Sequence, residues 1–213
     1  MVGQGVLREC LLDPDVERVL TVGRTVTGQT HEKLREIAHA NMFDLSDIAR
    51  DVSGYDACLF CLGISSAGMS EEQYRHVTYD LALSVARLLL ERNPGMTLVF
   101  VSGAGTDSTE RGRTMWARVK GQTENALLGL PFKAAYMFRP GFIEPMHGIK
   151  SRTTAYRVVY TITSPIFPLL RALFSKSMTN TEQLGRVMIH VAKHGARKRI
   201  LEAADLVEIG RGL

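Results

Sequence analysis

The chain has 213 residues, 45% apolar and 23% charged, which allows one substantial core in one domain and is ordinary for a globular protein. Its formal net charge of +4 comes without an aromatic-interleaved basic stripe or a nucleic-acid motif, so no nucleic-acid partner is expected. No basic stretch followed by an apolar run reads as a secretory signal, and a cytoplasmic location is expected.

The charge is uneven. Residues 1–141 hold 15 Lys and Arg against 17 Asp and Glu, whereas residues 142–213 hold 11 against 5. A basic C-terminal third suits a phosphorylated substrate, an acidic partner or an anionic membrane surface; a solvated face is the preferred reading, given how spread the charges are. The three cysteines are an odd number, and no disulfide framework is expected. Cys58 and Cys61 form a C-x-x-C inside an apolar strand pattern. Residues three apart on a strand point to opposite faces, so the pair reads as core thiols and no metal is expected there.

In chain order, residues 5–12 read as a helix ending at Asp13-Pro14, and residues 19–22 as a short strand closed by Gly23-Arg24. A second strand is predicted over 38–42, then a short helix with Ser46 as N-cap, then a strand over 55–62 ending at Gly63. Residues 71–91 form the clearest helix: Tyr74, Val77, Leu81, Val85, Leu88 and Leu89 recur at helical spacing, and Asn93-Pro94-Gly95 stops it. Residues 96–145 then read strand, helix, strand. Their marks are Ser102-Gly-Ala-Gly105 after the first strand, Met115-Trp-Ala-Arg-Val-Lys-Gly121 on the helix, and Phe138-Arg-Pro-Gly141 after the second strand. Residues 160–174 are the most apolar stretch, but Pro165, Pro168 and Arg171 interrupt it and it is too short for the roughly 20 residues of a spanning helix. No transmembrane segment is expected there. A substrate lid is preferred for this stretch over a dimer surface or an interfacial helix. Thr179-Asn180-Thr181-Glu182 reads as a helix start, with Leu184, Val187, Met188 and Val191 on one apolar face and Gly195 as its stop. His190 and His194 lie at i and i+4, but no Glu follows the first His as a zincin-type motif requires, so they read as helix-end histidines.

Alternating strand and helix patterns predict an α/β fold with a parallel sheet. With the motifs in place, the chain resembles an atypical short-chain dehydrogenase/reductase of the NAD(P)-binding, nucleoside-diphosphate-sugar-epimerase-like family, in the branch of the Tat-interacting-protein-like oxidoreductases. The pieces that carry this resemblance are Gly3 onward, Cys61-Leu-Gly63, Val119-Lys-Gly121 and Phe138-Arg-Pro-Gly141. It implies a Rossmann-like, doubly wound parallel sheet over 1–141, with a small, mostly helical substrate or lid region over 142–213 in the same globular unit. It also implies that the first strand and most of a glycine-rich phosphate turn are missing ahead of Gly3, and that Met1 is an internal methionine of a longer product.

The resemblance implies cofactor contacts at Gly3, Arg24, Asn41, Cys61, Leu62, Gly63, Lys120, Arg139, Pro140 and Gly141. Arg24 falls where the family reads the adenosine ribose; an arginine there suits a 2′-phosphate, so NADP is expected ahead of NAD. Asn41 falls where an aspartate often meets the adenine amine. Catalysis departs from the family pattern. Family members carry Tyr-x-x-x-Lys; here Lys120 is present and Trp116 stands at the tyrosine position. An indole has one N–H donor and no proton to exchange near neutrality. Ser102 is the nearest candidate for the polarising hydroxyl, and Asp107, Ser108, Thr109 or Thr114 are alternative proton sources. Trp116 either stacks on the nicotinamide or simply packs.

Two functions follow from the resemblance. One is an NADP-dependent oxidoreductase or epimerase-like enzyme acting by hydride transfer on a small carbonyl or alcohol, as a possible homodimer. The other is a dinucleotide-binding sensor or interaction protein without turnover.

Overall fold

The computed structural model describes residues 1–149 and 178–213. Helix α1 (Val2–Leu12) leads into strand β1 (Val19–Gly23), which pairs in parallel with β2 (Leu34–Ala38). A second parallel sheet follows in the order β3-β4-β5-β8, built from β3 (Ala57–Phe60), β4 (Thr97–Val101), β5 (Ala134–Arg139) and β8 (Ile200–Glu202). Between its strands run α2 (Glu71–Arg75), α3 (Leu81–Arg92) and α4 (Met115–Leu128). The described C-terminal part adds a small parallel pair, β6 (Phe142–Glu144) with β7 (Met178–Asn180), and helices α5 (Thr181–His194) and α6 (Ala203–Arg211). This is the expected α/β architecture, with parallel strands covered by helices on both faces.

The two faces follow from strand alternation. In β4, Leu98 and Phe100 join one core with Leu83, Val85, Ala86 and Leu89 of α3 and Leu127 of α4. Val99, between them, joins the other core with Val6 of α1, Leu184, Val187 and Met188 of α5, and Leu206 of α6. β5 repeats the pattern, with Ala135 and Met137 on the first side and Tyr136 and Phe138 on the second. Strands buried on both faces read as continuous apolar runs, which is why residues 97–101 were legible. The C-x-x-C obeys the same rule: Cys58 packs against the first core and Cys61 against the second.

Helices α1 and α5 cross closely. A Cβ on Gly5 would lie 2.6 Å from Cβ of Thr181, and one on Gly185 would lie 2.7 Å from Cγ of Glu9. The Glu9 carboxylate is buried at this crossing and accepts a hydrogen bond from Nε of Arg186 at 3.2 Å.

Several boundaries differ from the sequence expectation. The second strand lies at Leu34–Ala38, not 38–42, because its pairing with β1 selects the alternating Leu-Arg-Glu-Ile-Ala run of a half-exposed strand. Ser46 does not cap; it opens a single 3-10 turn whose first N–H is accepted by the Asp44 carboxylate. The 71–91 helix exists but is relayed through a π-helical turn at His76–Asp80. Its start is a capping box, with Ser70 Oγ accepting from the Gln73 N–H and Gln73 accepting from the Ser70 N–H. Asn180 caps α5 as the sequence suggested, and Gly195 ends it at φ +76°. The proposed lid at 160–174 lies outside the described residues. Because β8 pairs with β5, Ile200–Glu202 of the C-terminal part is built into the main sheet.

The histidine pair at the end of α5 has its rings 4.9 Å apart, and among the described residues no metal-binding cluster forms. Burial holds the His190 imidazole below its ordinary pKa, helped by the charges of His194 and Lys193. Above about pH 6.5 the ring is neutral in both folded and unfolded chains. As the pH falls below that value the unfolded chain takes up the proton first, so stability is lost on acidification. His190→Gln is expected to flatten the fall in Tm between about pH 6.5 and pH 5; equal slopes for the two proteins would refute this.

Candidate functional site

A cavity of about 1720 Å³ runs along the sheet between β1 and β3 and is lined by every residue of both strands. Its carboxyl-terminal end is walled by Gly23 and Arg24 after β1, by Cys61, Leu62 and Gly63 after β3, and by Ser102, Gly103 and Ala104 after β4. Pro140, Gly141 and Phe142 after β5, Trp116 and Lys120 of α4, and Met1, Val2 and Gly3 at the head of α1 complete it. In an open parallel sheet, ligands bind in the crevice at this end of the strands.

Ten of the residues singled out from the sequence therefore meet in one place: Gly3, Arg24, Cys61, Leu62, Gly63, Ser102, Trp116, Lys120, Pro140 and Gly141. Two do not line it. Asn41 spends its side-chain oxygen on the Phe43 N–H in a local turn. Arg139 turns into the protein, where its Nε donates to both carboxylate oxygens of Glu124 at 3.1 Å and Nη1 donates to Glu202 at 2.9 Å. The arginine is thus a buried tie between β5, α4 and the head of α6 rather than a cofactor contact. An Arg-Pro-Gly turn gives no warning of this, since the partners lie 15 and 63 residues away.

Lys120 is the most informative group in the wall. Its ammonium donates to the Ser102 carbonyl oxygen at 2.9 Å. Burial lowers its pKa, and the negative charge of Glu124 works against that shift. Gly103 lies beside it, where a Cβ would stand 3.4 Å from Nζ, in ordinary contact. Trp116, one turn earlier on α4, lies beside Gly105, whose hypothetical Cβ would be 3.4 Å from the indole.

The hydroxyls of Ser102, Ser108 and Thr109 are already engaged, while Thr114 heads α4 without a side-chain cap bond. Ser102 is buried and its Oγ shares a 3.0 Å hydrogen bond with Thr106, whose hydroxyl donates on to the Gly103 carbonyl. Thr106 was missed in the sequence; a hydroxyl four residues beyond Ser102 was the one available signal. Asp107 is held below the usual carboxylate range by the Thr109 hydroxyl and the Gly112 N–H, so it organises the loop as an anion and is no proton donor. Ser108 binds Arg139. At the other side of the cavity, burial pushes the Cys58 and Cys61 thiols up to about 12, which makes them inert as nucleophiles near neutral pH.

The head of α1 has no side-chain cap, and Val2, Gly3 and Gln4 of its first turn line the cavity. Such an end offers backbone N–H groups and a favourable dipole to an anion. No helix among the described residues is long and apolar enough to cross a membrane.

No protein-family profile matches the chain. It is 23% identical to the mitochondrial protein FMP52 of Chaetomium globosum over 225 aligned residues, which span 99% of this chain and 93% of that one. The cytoplasmic location expected from the sequence does not stand against this relative, whose name is mitochondrial: the lack of a readable secretory signal does not choose a compartment. Among solved structures, the chain resembles the PhqB reductase domain of Penicillium fellutanum with a TM-score of 0.65 at 16% identity, covering 95% of this chain and 63% of that chain. It resembles a double mutant of DesIV, a dTDP-glucose 4,6-dehydratase of Streptomyces venezuelae solved with NAD, with a TM-score of 0.65 at 14% identity, covering 99% and 77%. A short-chain dehydrogenase family protein of Francisella tularensis matches with a TM-score of 0.59 at 14% identity, covering 94% and 91%. The chain has the Rossmann-like fold of these short-chain dehydrogenase, dehydratase and reductase structures.

Proposed function

We propose that the chain binds NADP at the carboxyl-terminal end of the β1–β3 cavity. There it acts as an oxidoreductase or nucleoside-diphosphate-sugar-epimerase-like enzyme on a small carbonyl or alcohol. The observation that carries this reading is Lys120, a buried ammonium anchored to the Ser102 carbonyl in the wall of that crevice. The residues present fit a dinucleotide at three points. The uncapped head of α1 suits the pyrophosphate, Arg24 suits a 2′-phosphate, and Lys120 suits ribose hydroxyls.

The nicotinamide, when bound, supplies hydride chemistry; the chain's task is to orient it and to handle a proton. Lys120 holds its position through Ser102 and can donate the two remaining N–H bonds into the crevice. Its lowered pKa makes it a better proton donor than an ordinary lysine. Trp116 closes the wall without titrating. The occupied Ser102 hydroxyl and the indole at the tyrosine position favour a second reading, a dinucleotide-binding sensor with little or no turnover.

Fluorescence titration is expected to show tighter binding of NADPH than of NADH, with Arg24→Ala removing about tenfold of NADPH affinity and sparing NADH. Trp116→Tyr is expected to raise turnover on a carbonyl panel at least about 100-fold, the usual contribution of a positioned acid. Turnover by the tyrosine variant alone would establish the sensor reading for the natural chain. Failure to bind either dinucleotide would overturn both readings.

A further inference from the structure

The loop Arg24-Thr-Val-Thr-Gly-Gln-Thr30 follows β1, and every residue of it is exposed. Arg24, Thr25 and Thr27 nevertheless line the cavity, so the loop must keep a defined shape to serve as wall. Apolar burial does not supply that shape: Val26, its single aliphatic residue, is 52% exposed. The two ends of the loop are fixed by backbone bonds. The His39 N–H donates to the Gly23 carbonyl at 2.8 Å ahead of it, and the Val19 N–H donates to the Lys33 carbonyl at 2.8 Å beyond it. Ordering the residues between these anchors costs conformational entropy, which polar contacts have to offset.

The Glu36 carboxylate of β2 makes those contacts. The parallel register sets Glu36 opposite Thr21 of β1, whose hydroxyl donates to Oε2 at 3.0 Å. The same oxygen accepts the Thr27 N–H at 2.9 Å, and Oε1 accepts the Gly28 N–H at 3.2 Å. Gly28 stands at φ +77°, which lets two successive N–H groups turn onto one carboxylate. The Gln29 N–H then closes the turn on the Thr27 hydroxyl oxygen at 3.2 Å. Desolvation pushes the Glu36 carboxyl up, but the Thr27, Thr21 and Gly28 donors outweigh it and hold the group below the usual carboxylate range. Glu36 is therefore an anion near neutral pH. It does not line the cavity itself; it acts on the wall from behind.

We propose that Glu36 is a positioning residue: through Thr27 and Gly28 it fixes the loop so that Arg24 stands in the cavity wall, ready for the phosphate of an adenosine 2′-phosphate. The part of this that concerns the phosphate rests on the reading of the cavity as an NADP site; the strut itself does not. Its mechanism is preorganisation. A loop already ordered spares an arriving ligand the entropy of ordering it, and only a ligand whose phosphate engages Arg24 gains from that. A dinucleotide without the 2′-phosphate gains little.

Glu36→Gln tests it, because the variant keeps the shape of the side chain but sets an NH2 group, itself a donor, where an acceptor oxygen stood. Wild type and variant are compared by native tryptic cleavage after Arg24, followed by mass spectrometry with cleavage after Lys133 as control, and by fluorescence titration with NADPH and NADH. Cleavage after Arg24 is expected to speed up at least about fivefold while cleavage after Lys133 is unchanged, since only the loop opens. NADPH affinity is expected to fall about fivefold and NADH affinity by less than about twofold. In an Arg24→Ala background, Glu36→Gln should cost no further NADPH affinity, because it acts through that arginine. Unchanged cleavage after Arg24 would overturn the proposal. So would equal weakening of both dinucleotides, or full additivity with Arg24→Ala, either of which marks a merely structural role. If wild type binds neither dinucleotide, the cofactor reading falls and the positioning role with it, whereas faster cleavage would still show Glu36 holding the loop; the two failures are thus told apart.

Discussion

Arg139→Met is expected to destabilise the protein by roughly 3–5 kcal/mol, the range for removing one partner of a buried ion pair. Glu124 has no exposed side-chain surface, and its two carboxylate oxygens receive Nε of Arg139. Without the guanidinium, a buried carboxylate in α4 is left without its cationic partner. Glu202, about half exposed, can turn to water when released, so the loss concentrates on Glu124. Arg139→Lys should not rescue fully, because an ammonium cannot donate to Glu124 and Glu202 in the same forked geometry. Pairing Arg139→Met with Glu124→Leu should recover a good part of the loss, since replacing both charges by apolar groups is often close to neutral. Urea unfolding of the two single variants and the double variant tests this. If the double variant is no more stable than Arg139→Met, the unpaired charge is not what costs stability.

Gly121→Ala is expected to cost at least about 1–3 kcal/mol, the usual penalty for overpacking. In a helix interior, glycine-to-alanine ordinarily gains up to about 1 kcal/mol. Here a Cβ would fall 1.8 Å from the Asp107 carbonyl oxygen and 2.6 Å from its carbon. Those atoms are backbone and cannot swing aside. The loop at this point is also anchored, with the Asp107 N–H donating to the Ala117 carbonyl and its carboxylate holding Thr109 and Gly112. Displacing Asp107 would disturb the loop between Ser102 and Trp116, so cofactor binding should weaken along with stability. At about 2–4 °C per kcal/mol for a chain of this size, the drop in Tm is readily seen. A rise in Tm would show that helix propensity outweighs the contact.

The sequence revealed most where a residue's environment depends on near neighbours. Strands β4 and β5 were legible because both faces are buried and both runs are apolar. Helices with local stops and caps, such as α3 before Asn93-Pro94-Gly95 and α5 after Asn180, were legible for the same reason. The crevice residues converged because strand ends and the α4 face are fixed by the order of elements. What escaped depended on distant partners. Arg139 looked like a cofactor residue until Glu124 and Glu202 were brought to it. Ser102 looked available until Thr106 folded back onto it. Strand β2 was misplaced because a half-exposed strand alternates charged and apolar residues, and its register is chosen only by its partner.

The division of the sheet also bears on how the molecule breathes. β1 and β2 share no ladder hydrogen bond with β3, β4, β5 and β8. Backbone pairing therefore cannot pass cooperativity from one piece to the other, and coupling between them falls to the side chains packed in the shared cores. The wall that carries Arg24 belongs to the smaller piece, and the wall that carries Lys120 packs on the larger. The two ends of the crevice are thus joined through side-chain packing, with Leu20 and Val22 on one core and Val19 on the other, and a ligand spanning both would act as a clasp between them.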